Sequence, residues 1–205
     1  MRTAPSYTIK RSDAVGLWVF MAVGAAIAVW TSIAASQRIM EVLPNTDVRV
    51  LGQFAGTVGS APIGVDGAPI DVELEQAMLT VPELPVAALW AIVFQQVVVV
   101  VTVLTVVVAL IWLGRNVTRS IVFSRTNTVL VSTAGIVGLI GYAAVPFLGN
   151  MAANGAFAVL SERTFDNVII SVEPFSLLLL AFIAALMSTV FAIGERLQRD
   201  TDGLV

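Results

Sequence analysis

Between residues 85 and 113 the chain holds no Asp, Glu, Lys or Arg, and residues 97–108 are apolar except for Thr102 and Thr105. A helix needs about 20 such residues to cross a hydrocarbon core roughly 30 Å thick. This stretch is longer than that, so tilt or an extension beyond the core absorbs the surplus. Three more charge-free stretches cover residues 14–35, 128–148 and 175–193, and each is long enough to span. With 58% hydrophobic residues and only 12% charged ones, the chain lacks the polar surface that a soluble globule requires. The expected fold is an all-α membrane protein, a single membrane domain over residues 1–205 whose core is a four-helix transmembrane bundle.

Four spans bring both termini to one side. If that side is the cytoplasm, it holds Arg2, Lys10, Arg11, Arg115, Arg119, Arg125, Arg196 and Arg199, against Arg38, Arg49 and Arg163 outside. Eight basic residues against three favour this orientation. A competing reading makes the first stretch a cleaved signal peptide, because Arg2, Lys10 and Arg11 precede it and small residues follow at 34–36. Its apolar core of about twenty residues is longer than a signal core usually is.

The outer connection from 36 to 84 is too long for an incidental turn and should carry structure of its own. Residues 70–75 alternate strictly between apolar and acidic, the period of a half-buried strand, and residues 48–54 do so in part. Asp66 and Gly67 between them form a hairpin turn signal. The second outer connection, 149–174, adds a β-branched stretch at 168–172. A small antiparallel sheet from both outer loops is expected, forming a β-rich extracytoplasmic cap. Asp71, Glu73 and Glu75 would lie on one strand face about 7 Å apart, a pattern that a solvated face already explains.

Several chemistries are disfavoured. Cys and His are both absent, which removes thiolate and imidazole metal ligands and any Ser-His or Cys-His nucleophile pair. No Asp, Glu, Lys or Arg falls within a span, which argues against a proton or ion relay. The polar exceptions are Gln95, Gln96, Asn150 and Asn154, for which hydrogen bonding between helices is a sufficient role. There is no catalytic residue, metal set or cofactor to nominate, and the chain is expected not to be an enzyme. A net charge of −3 gives no basic field for direct nucleic-acid binding.

The inner loop, 114–127, contains Arg115 and Arg119, four apart and suited to sharing a helix face as the second span emerges, where anionic headgroups lie. Small residues recur at Gly135, Gly138 and Gly141 in the third span and at Ala184, Ser188 and Ala192 in the fourth. They offer flat strips for close helix packing. Pro146 is expected to bend the outer end of the third span.

Two inner segments, SIVFSRTN at 120–127 and FAIGERLQRDTDGLV at 191–205, resemble the corresponding signatures of the bacterial membrane family named domain of unknown function 2975, which shares the four-span plan. The resemblance covers mainly residues 115 onward and leaves out the long outer loop. It implies a bacterial membrane protein, and with the basic-residue bias the expected location is the bacterial cytoplasmic membrane, both termini cytoplasmic. It also implies a partnership with a small helix-turn-helix regulator, because genes for such proteins often neighbour those of the family. The residues of this chain that would dock such a regulator are Arg115, Arg119, Phe123, Arg125, Glu195, Arg196, Leu197, Gln198, Arg199, Asp200 and Asp202. The leading expectation is thus a non-enzymatic regulatory or interaction protein. The alternative is an accessory or assembly subunit of a larger membrane complex, of transporter or respiratory type, docked through the glycine strip and the outer cap.

Overall fold

The computed structural model describes residues 11–165, 169 and 171–202, without the side chains of 201 and 202. Its elements in order are α1 (Arg11–Val42), β1 (Val48–Ala61), a short 3-10 turn (Val65–Gly67), β2 (Ile70–Val81), α2 (Val86–Thr118), α3 (Arg125–Leu160) and α4 (Pro174–Asp202). All four helices are long and apolar enough to cross a membrane. The valine-rich centre of α2 is helical although β-branched residues are weak helix formers in water.

The helices outrun the apolar stretches that announce them. α1 continues past residue 35 to Val42, and α3 passes through Pro146 and on to Leu160. Hydropathy reports the apolar length, whereas the helical ladder runs on until a conformational stop. For α3 that stop is left-handed backbone at Glu162 and Arg163. Arg163 N–H bonds the carbonyl of Ala158 at 3.0 Å and Glu162 N–H that of Val159 at 3.4 Å, the double closure of a Schellman end without glycine. The connection expected over 149–174 is correspondingly shorter. α2 closes in the same way at left-handed Ser120, so Arg115 is helical while Arg119 lies in the turn beyond it.

Large apolar side chains point away from the protein. Trp30 is 75% exposed, Phe175 78% and Phe182 66%. In water a surface of this kind drives association.

The chain divides into two compact units. One takes Met1–Ala34, Val99–Tyr142 and Pro174–Val205, and the other Ala35–Val98 and Ala143–Glu173. In the first, helices meet over small residues: Gly24 lies beside Val107 and Gly114 beside Met21, with Ala28 and Ala109 buried. Small side chains let backbones approach and gain dispersion contacts.

The second unit contains the sheet. β1 and β2 pair antiparallel from Val48↔Val81 to Ala61↔Ile70. Asp66 and Gly67 at the hairpin end both take positive φ, 57° and 77°, the conformation their turn signal implies. On β2, Val72 and Leu74 are half-buried while Asp71, Glu73 and Glu75 are exposed. Register breaks between Gln53 and Thr57, where Phe54, Ala55 and Gly56 oppose Glu75 alone. Gly56, at φ 66°, makes this bulge possible. Phe54 here meets Phe157 of α3 edge to face at 5.1 Å.

Below the bulge, Val48, Val50 and Val81 join Val42, Leu84, Ala88, Ile92, Ala153, Ala156 and Phe157 in one buried cluster. Asn45 fastens its base: the side-chain amide donates to Leu84 O and accepts from Leu84 N, both at 2.9 Å. The sheet described has two strands, both from the first connection. Of the stretch expected to add to it from the second, Ile169, Ser171 and Val172 are not in a strand, and residues 168 and 170 lie outside the described residues.

Candidate functional site

The connection between α2 and α3 is organised by one buried amide. Asn127 is 0% exposed. Its Nδ2 donates to the carbonyls of Ile121 and Val122 at 2.9 and 2.8 Å, and its Oδ1 accepts from Asn116 Nδ2 at 2.7 Å. Ser124 caps α3, its Oγ accepting from Asn127 N–H at 3.3 Å and its carbonyl from Thr128 N–H at 3.0 Å. A buried amide is costly unless paired. Here both ends of it are used, which fixes the path of residues 120–124.

That path sets Phe123 against α4. A Cβ built on Gly194 would collide with the Phe123 ring, so glycine is what lets the ring sit on the helix backbone. Phe191, on the same helix, meets Phe123 with ring centroids 5.7 Å apart. Next to Gly194, Glu195 Oε2 accepts from the Thr128 hydroxyl at 2.9 Å, while Oε1 receives Arg199 at 2.6 Å. The α2–α3 connection and the end of α4 are thereby joined through an aromatic contact and a shared carboxylate.

Beside this join, Arg125, Ala192, Glu195, Arg196 and Arg199 line a shallow cavity of about 330 Å³. Arg125 and Arg196 form no ion pair among the described residues. Three guanidinium groups against one carboxylate, itself engaged, leave a net positive rim. Five of the residues expected to form a docking surface, Phe123, Arg125, Glu195, Arg196 and Arg199, are therefore brought together. Leu197, Gln198 and Asp200 are exposed further along α4, and Arg115 and Arg119 are exposed but do not line the cavity. The side chain of Asp202 lies outside the described residues. Sequence reasoning missed Asn116, Asn127 and Thr128 as organisers. The signal available was a pair of asparagines bracketing a loop between two apolar helices.

The small-residue strips lie inside the unit. Gly135 faces Ala184 of α4, where an added Cβ would stand 2.9 Å from that methyl, and Gly141 faces Thr102 of α2. Gly138 has more room, with Val106 4.0 Å away, and Ser188 is half-buried. In the other unit, Gln95 Nε2 donates to Val145 O at 2.9 Å, a bond between helices, and Asn150 Nδ2 donates to Ile169 O at 3.5 Å. Gln96 is half-buried and Asn154 exposed. No protein-family model matches the chain, and no curated protein or solved structure matches it.

Proposed function

We propose that this protein is a multi-pass protein of a bacterial cytoplasmic membrane, with both termini in the cytoplasm, and that it acts without catalysis by holding a soluble partner on the surface formed by its inner loop and α4. The membrane assignment is supported by the outward display of Trp30, Phe175 and Phe182 along helices of spanning length. The orientation is supported by the eight-to-three distribution of basic residues.

The observation that carries the docking role is the join of Phe123 to Gly194 and of Thr128 to Glu195. A stop-transfer tail needs only charge. This one is tied to a second segment, and the join leaves Arg125 and Arg196 without ion partners among the described residues. A pre-ordered basic rim suits an acidic patch on a partner, because ordering costs already met in the free protein are not met again on binding. The family resemblance makes a small helix-turn-helix regulator the first partner to test. The accessory-subunit reading is weaker, since Gly135 and Gly141, two residues of its proposed docking strip, face α4 and α2 of the same chain.

The test is purification from cells in a mild detergent. The wild-type chain should retain a small DNA-binding protein, and the double reversal Arg125→Glu with Arg196→Glu should lose it while membrane insertion is unchanged. Equal recovery of that protein by the reversal variant refutes the docking surface.

A further inference from the structure

The sheet-bearing unit contains a second, larger cavity that the docking role does not use. It measures about 530 Å³, within the range of small-ligand sites. Its walls mix charged, polar and apolar side chains. Arg38 and Glu41 of α1 and Arg49 of β1 supply the charged groups, and Gln53, Gln95 and Asn150 further polar ones. Ile92 of α2 and Pro146 of α3, with Leu51 and Met78 of the sheet, supply apolar surface.

The strand period explains how one face comes to be amphiphilic. Val48, Val50 and Gly52 point into the core, so Arg49, Leu51 and Gln53 share the opposite face, and Leu51 pairs directly with Met78 across the ladder. Leu51 and Met78 are both about half exposed, 51% and 52%, unlike the valines on the inner face.

Charge is unbalanced among the lining residues. Glu41 is bound to Arg38 at 3.3 Å, and Arg38 also donates to the backbone carbonyl of Arg49. The Arg49 side chain makes no hydrogen bond or ion pair among the described residues. The three groups sum to one positive charge, and it belongs to Arg49.

Depth supplies the last element. Arg38 lies three residues beyond the charge-free stretch of α1, about 5 Å along the axis at 1.5 Å per residue, where a spanning helix enters the headgroup layer. Ile92 and Pro146 lie inside the charge-free stretches of α2 and α3. Trp90 and Phe94, exposed neighbours with ring centroids 5.9 Å apart, mark α2 with the aromatic pattern of an interface. The charged residues of α1 that line the cavity therefore lie beyond its charge-free stretch, while the lining residues Ile92 and Pro146 lie within theirs.

We infer that this cavity binds a monoanionic phospholipid, its phosphodiester on Arg49 and its glycerol and upper acyl carbons along Leu51, Met78 and Ile92. The inference rests on the membrane assignment and is independent of the docking role. A zwitterionic lipid would bring an ammonium into a site whose only carboxylate is already paired. A free phosphate would leave the apolar wall unused.

The experiment is native mass spectrometry of the full chain in mixed micelles holding equal amounts of phosphatidylglycerol and phosphatidylcholine. Phosphatidylglycerol should be retained in preference, and Arg49→Gln should weaken its retention about tenfold, the loss of one charge-assisted hydrogen bond. Met78→Glu, which adds a carboxylate to the apolar wall, should do the same. Both sites are exposed, and an unchanged thermal unfolding midpoint will show that the variants are folded. Equal retention of both lipids, or retention that neither substitution alters, overturns the inference. So does full displacement by glycerol 1-phosphate, which would assign the site to a soluble phosphate. Release of the protein from membranes by an alkaline wash would remove the membrane assignment, and the lipid site with it, and is read separately.

Discussion

Thr128, in the first turn of α3, donates its hydroxyl to Glu195 of α4 at 2.9 Å, and the second oxygen of that carboxylate holds Arg199 at 2.6 Å. The Glu195 side chain is only 16% exposed, so the bond is made largely out of water, where leaving an acceptor unpaired costs more than it does at the surface. Thr128→Val keeps the shape and removes the donor. It should release the end of α4 by about 1 kcal/mol, seen as tryptic cleavage after Arg196 and Arg199 accelerated roughly fivefold in the detergent-solubilised protein. Cleavage at the wild-type rate would mean that this bond does not hold the tail.

Gly194 and Phe123 make a steric prediction with an internal control. Gly194→Val should force the Phe123 ring off α4 and destabilise the protein by about 1–3 kcal/mol, as overpacking does. In the Phe123→Ala background the same valine has room. The two substitutions together should therefore be less damaging than the sum of their separate effects, with a coupling of 0.5 kcal/mol or more on the scale of about 0.5–3 kcal/mol found for residues in contact. Strict additivity would contradict the contact.

Asn127 should be the least replaceable residue of the inner loop. Asn127→Ala strands two carbonyls and the Asn116 amide at once, and each buried group left unpaired costs about 1–3 kcal/mol. The expected loss is about 3 kcal/mol or more in unfolding by sodium dodecyl sulfate in mixed micelles. A loss below about 1 kcal/mol would mean that water replaces the missing amide.

The parts of this fold that were legible in the sequence are those written in a repeating period. Four charge-free stretches mark four helices, the alternation from Ile70 to Glu75 marks β2, and Asp66 with Gly67 marks the hairpin end. The helix ends were not legible, because left-handed Ser120, Glu162 and Arg163 carry no glycine to announce them. Nor was the bulge, since Phe54 reads as one more strand residue until Phe157, about a hundred positions later, provides the ring it packs on. The surface proposed for docking was half legible. Its arginines and Phe123 stand out as charge and bulk beside apolar helices, but Asn127 is signalled only by the asparagine across the loop, and Thr128 acts through Glu195, 67 positions away, with no local pattern to mark it.

The central claim is a four-span protein whose inner loop and tail share the cytoplasmic face, and side-resolved cysteine labelling tests it most directly. The chain has no native cysteine to remove. Ser60 on β1, Ser12 at the start of α1, Ser120 in the inner loop and Gln198 on α4 are all exposed. With a membrane-impermeant maleimide, Ser60→Cys should react in intact cells. Ser12→Cys, Ser120→Cys and Gln198→Cys should react only after the membrane is opened. Labelling of Ser120→Cys or Gln198→Cys in sealed cells would put the proposed docking surface on the wrong side of the membrane and contradict the account.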